Sequence, residues 1–371
     1  MPAAEARPQP QPQPDSAAAP PGVVPESEPD LADRVQWTCR GACALRAIEL
    51  LRRAPAPIVS DPLALAMAGR AALARFGALY DAWERDYGPG GHSYFAGRAR
   101  VVDAMVSEAA AELARASEAA VQVVSIGAGM DTRPWRLSLP PGTAWFDVDQ
   151  APVLALKAKL LRGARAQLPA GSATGGGESS RSGDGGGGDD GGGSGSGGGG
   201  GSDGGGGYTG PFPLKCASYR QVVADLEEAG LAGSLAAAGF DASAPTVWVA
   251  EGVCYYLSLA ANAALLRDAA ACSPRGSRLI ATHVPRCNLE ANQTTKIDSP
   301  IARLFTVCVE DVLSAGLPEA AGWRGVARSE DFGDMVAARC GGARAYYPYG
   351  LEYSGGRKLP AIECVVTAER A

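Results

Sequence analysis

VQVVSIGAGMDTRPWRLSLPPGTAWFDVDQAPVLALK, residues 121–157, runs strand, glycine-rich turn, helix, strand and acidic end in that order. Residues 121–126 are short, apolar and β-branched, the composition of a strand buried on both faces. Gly127-Ala128-Gly129 follows without a gap, and glycine lets the backbone turn tightly and approach a ligand that a Cβ would keep away. About twenty residues after the turn, a second apolar piece, residues 143–148, ends in Asp149, whose carboxylate can accept hydrogen bonds from both hydroxyls of a ribose. The spacing describes a pocket for an adenosine-type cofactor.

A GxG turn alone is compatible with a plain strand-to-helix connection, so the neighbouring residues decide. A dinucleotide site wants a third glycine three residues on, where the helix N-terminus packs close and holds a pyrophosphate. Thr132 stands there. Asp131, at the mouth of the helix, would repel a diphosphate while tolerating a sulfonium or an amino group. S-adenosyl-L-methionine, which carries no phosphate, suits this turn better than NAD and is the expected cofactor.

The residues also carry a family resemblance. Gly127-Ala128-Gly129-Met130-Asp131-Thr132-Arg133 with Trp135-Arg136-Leu137, then Phe146-Asp147-Val148-Asp149 with Lys157, resembles the leucine carboxyl methyltransferase family. A third block, Pro245-Thr246-Val247-Trp248-Val249-Ala250-Glu251-Gly252-Val253 continuing to Tyr256-Leu257, is similar as well. Further upstream, Thr38-Cys39 with Leu45-Arg46 looks like the family's first helix, and Tyr94-Phe95-Ala96 with Arg98 looks like its second basic contact. The likeness extends from about Thr38 to Glu251 and is diffuse after that.

The resemblance implies a set of site residues. Arg46 and Arg98 would hold the methionyl carboxylate of the cofactor, with Arg100 as the alternative to Arg98 because Gly97 breaks the family spacing. A guanidinium can grip a carboxylate through two parallel hydrogen bonds. Gly127 and Gly129 would let the backbone pass close to the cofactor, Asp149 would hold the ribose, and Glu251 would face the sulfonium. The family's Ala-Asp-Leu-Arg-like stretch, whose Asp bonds the adenine amino group, is matched to residues 214–220, which puts Ser218 at the Asp and Tyr219 at the Leu. That match replaces a charge-assisted contact by a hydroxyl and implies weakened adenine recognition. Arg98 and Tyr256 are the catalytic candidates, Tyr256 by ordering the acceptor, with a half-buried aromatic as its plainer reading. His283 is a candidate base if the acceptor is a hydroxyl, against a structural or surface histidine.

Composition bounds the rest. The first thirty or so residues, rich in Pro, Ala and Gln without apolar periodicity, are expected to be a disordered tail over 1–32. They lack the basic start and apolar core of a signal peptide, and their acidic residues fit a transit peptide poorly. Residues 171–207, nearly all Gly, Ser and Asp, are expected to be a flexible insertion within one domain spanning 33–371, not a linker between two. Nine scattered cysteines, with Cys39 and Cys43 four apart but no second pair, point to reduced thiols and to no metal site. A net charge of −6, no basic stripe and no run of eighteen apolar residues predict no nucleic-acid partner and no membrane span, while the odd cysteine count without a secretory signal predicts a cytoplasmic location.

The expected architecture is α/β: a Rossmann-like sheet with helical additions at the N-terminus and an antiparallel C-terminal edge, formed by a hairpin of residues 344–349 and 360–368. The expected activity is methyl transfer to a carboxylate or other oxygen of an unassigned, small-molecule acceptor. The family's best-known activity makes the C-terminal leucine of type 2A protein phosphatase catalytic subunits the alternative. A cofactor-binding scaffold without turnover is the reading from another class.

Overall fold

The computed structural model describes residues 34–53, 55–87, 92–169, 210–287, 289–290, 304–329, 335, 345–346 and 363–371. The expected tail over 1–32 and the glycine-rich stretch over 171–207 lie outside the described residues, as do residues 344, 347–349 and 360–362 of the anticipated hairpin.

Three helices come first: α1 (Arg34–Arg52), α2 (Pro62–Ala68) and α3 (Arg70–Tyr87). Asp61 caps α2 by accepting from the Ala64 N–H at 3.0 Å, and Pro62 occupies the first turn, where its missing N–H costs nothing. The short strand β1 (His92–Ser93) leads into the long helix α4 (Tyr94–Ala116). Alternating strands and helices follow: β2 (Gln122–Ile126), α5 (Arg133–Arg136), β3 (Ala144–Asp149), α6 (Ala151–Gly163), β4 (Ser218–Val223), α7 (Leu231–Ala237), β5 (Thr246–Ala250), α8 (Leu259–Ala271) and β6 (Arg278–His283). The chain closes with α9 (Val309–Ser314), α10 (Leu317–Ala320), β7 (Trp323–Ser329), β8 (Ala345–Tyr346) and β9 (Cys364–Arg370).

The main sheet has the order β4-β3-β2-β5-β6-β9-β7. Its first five strands are parallel, and β9 inserts antiparallel between β6 and β7. Among the described residues the C-terminal strand thus pairs with β6 and with Trp323–Ser329. Ala345–Tyr346 instead pairs in parallel with His92–Ser93 in a separate two-stranded sheet. Both alternating faces of the main sheet are apolar. Val123, Trp145, Tyr219, Val247 and Ile280 pack under α1, α2, α4 and α6, while Val124, Phe146, Val222, Trp248 and Leu279 pack under α7 and α8. That is the near-continuous hydrophobic pattern of a parallel sheet covered on both sides. Strand order reverses at β2, which lies between β3 and β5, so the crevice for a ligand opens beyond the carboxyl ends of these strands.

Candidate functional site

At the end of β2 the chain turns through Gly127 and Gly129, at φ +61° and +44°. A Cβ on Gly127 would sit 2.6 Å from Val253 Cγ2, and one on Gly129 would sit 3.0 Å from Cys39 Sγ. Both positions thus need glycine for conformation and for space. Asp149, at the end of β3, accepts from the Gly129 N–H at 2.7 Å and from the Gln150 N–H at 2.8 Å. Burial raises its pKa above the ordinary aspartate value, and these two N–H groups oppose the shift.

Around this turn a buried ionic network forms the floor of a cleft. Arg98, in the first turns of α4, donates from Nε to Glu251 at 2.8 Å and from Nη1 to Glu363 at 2.9 Å. Glu251, just past β5, also binds Arg133. Arg133 reaches Asp103 at 2.7 Å and Asp131 at 2.8 Å. Arg136 binds Asp103 and Thr132. Arg46, on α1, donates to Asp61 at 2.9 Å and to the Met130 carbonyl at 2.7 Å, which ties the first helix to the glycine turn. Burial alone would raise the Glu251 carboxyl, but the Arg133 and Arg98 guanidiniums outweigh it and hold it at about 2. Asp131 and Asp61 are also lowered, against burial, by Arg133 and Arg46 respectively. Among the described residues this floor sets five carboxylates against four guanidiniums.

The cleft, about 1130 Å³ counting its open mouth, brings together Arg46, Arg98, Gly127, Gly129, Glu251 and Tyr256 from the sequence-based set. Asp149 stands one step behind the lining, bonded to the turn. Arg98 and not Arg100 reaches the cleft. One wall is aromatic: Tyr255, Tyr256 and Phe305 form a mutually packed triad with ring centroids 4.5, 4.8 and 5.2 Å apart.

Three of the sequence-based candidates, Ser218, Tyr219 and His283, are not brought here. Ser218 pairs with Ala144 at the amino end of β4, whereas Asp149 pairs with Val223 at its carboxyl end. Five residues of strand at about 3.3 Å each separate Ser218 from the crevice. Tyr219 is 1 % exposed, packs edge-on against Trp135 and donates to Asp147 at 2.6 Å, a role in the core. At the carboxyl end of β4 stands Ala224-Asp225-Leu226, with the Ala224 N–H bonded to the Asp149 carbonyl at 3.1 Å. The literal Ala-Asp-Leu was the available signal, and only Glu227 replaces the family's arginine. His283 ends β6 on the other sheet face, among Trp248, Leu266 and Val366. Its Nδ1 has no hydrogen-bond partner among the described residues, and burial lowers its pKa to about 4. Sequence reading also passed over Arg133 and Arg136, which stand inside the quoted motif, and Glu363, which has no motif around it.

A doubly wound sheet with a glycine turn and a carboxylate at its switch point, opening on an ionic cleft, defines an α/β nucleoside-cofactor enzyme. Comparison with known proteins makes the class specific. The chain belongs to the leucine carboxyl methyltransferase family, which it matches over residues 40–270. It is 30% identical over 261 residues, 69% of each chain, to a Mycolicibacterium smegmatis protein provisionally named an S-adenosyl-L-methionine-dependent methyltransferase. A Frankia alni protein with the same provisional name is 31% identical over 258 residues, covering 67% of this chain and 71% of its own. Among solved structures, an S-adenosylmethionine-dependent methyltransferase from Archaeoglobus fulgidus is similar at 10% identity and TM-score 0.39, covering 78% of this chain and 99% of that one. The protein is an S-adenosyl-L-methionine-dependent methyltransferase. No described helix is long and apolar enough to cross a membrane.

Proposed function

We propose that the enzyme methylates an oxygen, foremost a carboxylate, of a small-molecule acceptor seated against the Tyr255, Tyr256 and Phe305 wall. The single observation carrying this reading is that the aromatic triad and the glycine turn line one continuous cleft. S-adenosyl-L-methionine supplies a methyl group on a positively charged sulfur. The turn suits it, because without side chains Gly127 and Gly129 run close against Val253 and Cys39 and line the cleft with bare backbone. In this reading Arg46 and Arg98 hold the methionyl carboxylate, Asp149 the ribose and Asp225 the adenine amino group, a role moved here from Ser218 and Tyr219. Glu251, held ionised by its arginines, faces the sulfonium, and the excess of carboxylates on the floor balances the cofactor's net positive charge.

A carboxylate acceptor is already ionised at neutral pH, so no base has to act on it. What the chain contributes is alignment and exclusion of water, which can supply roughly 7–11 kcal/mol of the barrier. Arg98 serves by fixing the methionyl arm, and Tyr256 by ordering the acceptor against its ring. The neutral, distant His283 is not part of this chemistry. A cytoplasmic location goes with the proposal and rests on the scattered cysteine pattern.

The family description favours a second reading, a protein C-terminal leucine carboxylate, with type 2A phosphatase catalytic subunits as the acceptor. Both are tested by incubating the purified protein with methyl-labelled cofactor and a soluble extract. Label in small molecules supports the first reading. Base-labile label on a protein the size of a phosphatase catalytic subunit replaces it with the second, and transfer to neither would sink both.

A further inference from the structure

Glu363 immediately precedes β9, the C-terminal antiparallel strand, and lies outside the residues matched to the family. It is 3 % exposed and lines the cleft. Three donors converge on it. Tyr255 Oη donates to its Oε1 at 2.7 Å, Arg98 Nη1 donates to the same oxygen at 2.9 Å, and Tyr94 Oη donates to Oε2. Arg98 is thus held at two points, Nη1 by Glu363 and Nε by Glu251. Its third nitrogen, Nη2, lies against Gly252, where a Cβ would come within 3.1 Å.

An arginine with a single carboxylate neighbour tends to close its Nε and Nη edge on that carboxylate as a two-bond fork. For Arg98 that would mean turning Nη2 onto Glu251. With Nη1 anchored to Glu363, whose own place is fixed by two tyrosine hydroxyls, the guanidinium is not free to make that rotation. We infer that Glu363 is a positioning residue that holds Arg98 open toward the methionyl end of the cofactor, so that the C-terminal strand sets part of the cofactor site. The inference rests on the reading of Arg98 as a carboxylate holder.

The test compares two ligands that differ at that end. S-adenosylhomocysteine carries the amino-acid arm, and 5′-methylthioadenosine lacks its carboxylate. Titration calorimetry on the full chain first establishes that the unaltered protein binds both. Binding of neither would overturn the cofactor reading and this inference with it. Glu363→Gln keeps the shape and an acceptor oxygen while removing the charge. It is expected to weaken S-adenosylhomocysteine by about tenfold or more, the size of a lost charge-assisted contact, and to leave methylthioadenosine within about twofold. An equal fall for both ligands would make Glu363 merely structural, and an unchanged affinity for S-adenosylhomocysteine would overturn the inference outright. Since the readout is the ratio of two affinities, Glu363→Asp carries the same test if the Gln variant does not fold. That variant retracts the charge by one methylene and should show the same selective loss at smaller size.

Discussion

Glu251 concentrates the electrostatics of the site in one side chain. It accepts from two arginines, Arg98 and Arg133, and is held at about 2 against an ordinary value of 4.5. A carboxyl whose folded-state pKa is depressed gives stability that is fully present above its unfolded value and lost as pH falls through the folded one. The window for Glu251 therefore runs from 4.5 down to about 2, and the lowered Asp61 and Asp131 act in the same sense. Stability measured by urea unfolding should fall steadily as pH drops through this range. Glu251→Gln should make that slope shallower, because one proton fewer is taken up on unfolding. It should also cost about 3 kcal/mol at neutral pH, since Arg98 and Arg133 lose a buried partner. An unchanged slope in the variant would mean that Glu251 is not the group that carries the pH dependence.

Individual elements decide which residues meet, and here the sequence was read with uneven success. The turn after β2 and the acidic end of β3 were legible because glycine and a strand-end carboxylate mark themselves within a few residues. Strand β4 was not, because the family's Ala-Asp-Leu-Arg-like stretch was matched to residues 214–220 while the paired segment is Ser218–Val223. That match places Ser218 at the amino end of the strand. The register of Asp149 with Val223 puts Asp225 just beyond the crevice edge instead. Asp225→Ala should lower S-adenosylhomocysteine affinity about tenfold, within the range of a contact to a charged group, while Ser218→Ala should not change it. The reverse order of effects in a calorimetric titration would restore the earlier assignment. Glu363 was illegible for another reason: its partners Arg98 and Tyr255 are 265 and 108 positions away, and no local pattern encodes such a meeting.

The same β3 and β4 pair holds a second charge pair deep under α6. Lys157 and Asp147 are both fully buried and bonded to each other, and Asp147 also accepts from Tyr219 at 2.6 Å and from Trp145 Nε1 at 2.9 Å. Burial raises the Asp147 pKa despite these contacts, so its charge depends on them. Lys157→Met keeps most of the packing volume but strands the carboxylate, and should destabilise the fold by about 3–5 kcal/mol in urea unfolding. A loss below about 1 kcal/mol would mean that the site takes the aspartate in its neutral form without strain.

At the scale of the whole molecule, the question is how one sheet accommodates the long glycine-rich stretch between α6 and β4. The described residues on either side of it are fastened together. Ala166 bridges Phe212, the Gln167 N–H donates to the Phe212 carbonyl at 2.9 Å, and the Gln167 side chain accepts from the Leu214 N–H at 2.9 Å. Trp135 Nε1 donates to the Gln167 carbonyl, also at 2.9 Å, which anchors this clasp to the helix after the glycine turn. We propose that residues 171–207 are dispensable for the fold and for cofactor binding. Deleting them leaves 167–170 joined to 208–211, enough chain to close the clasp. Shortening by about two and a half doublings of length should raise stability by roughly 1.5 kcal/mol, read as a higher urea midpoint, with S-adenosylhomocysteine affinity unchanged. A fall in affinity, or a loss of stability instead of a gain, would show that the stretch contributes contacts to the working enzyme, and the single-domain reading with a tolerated insertion would have to be given up.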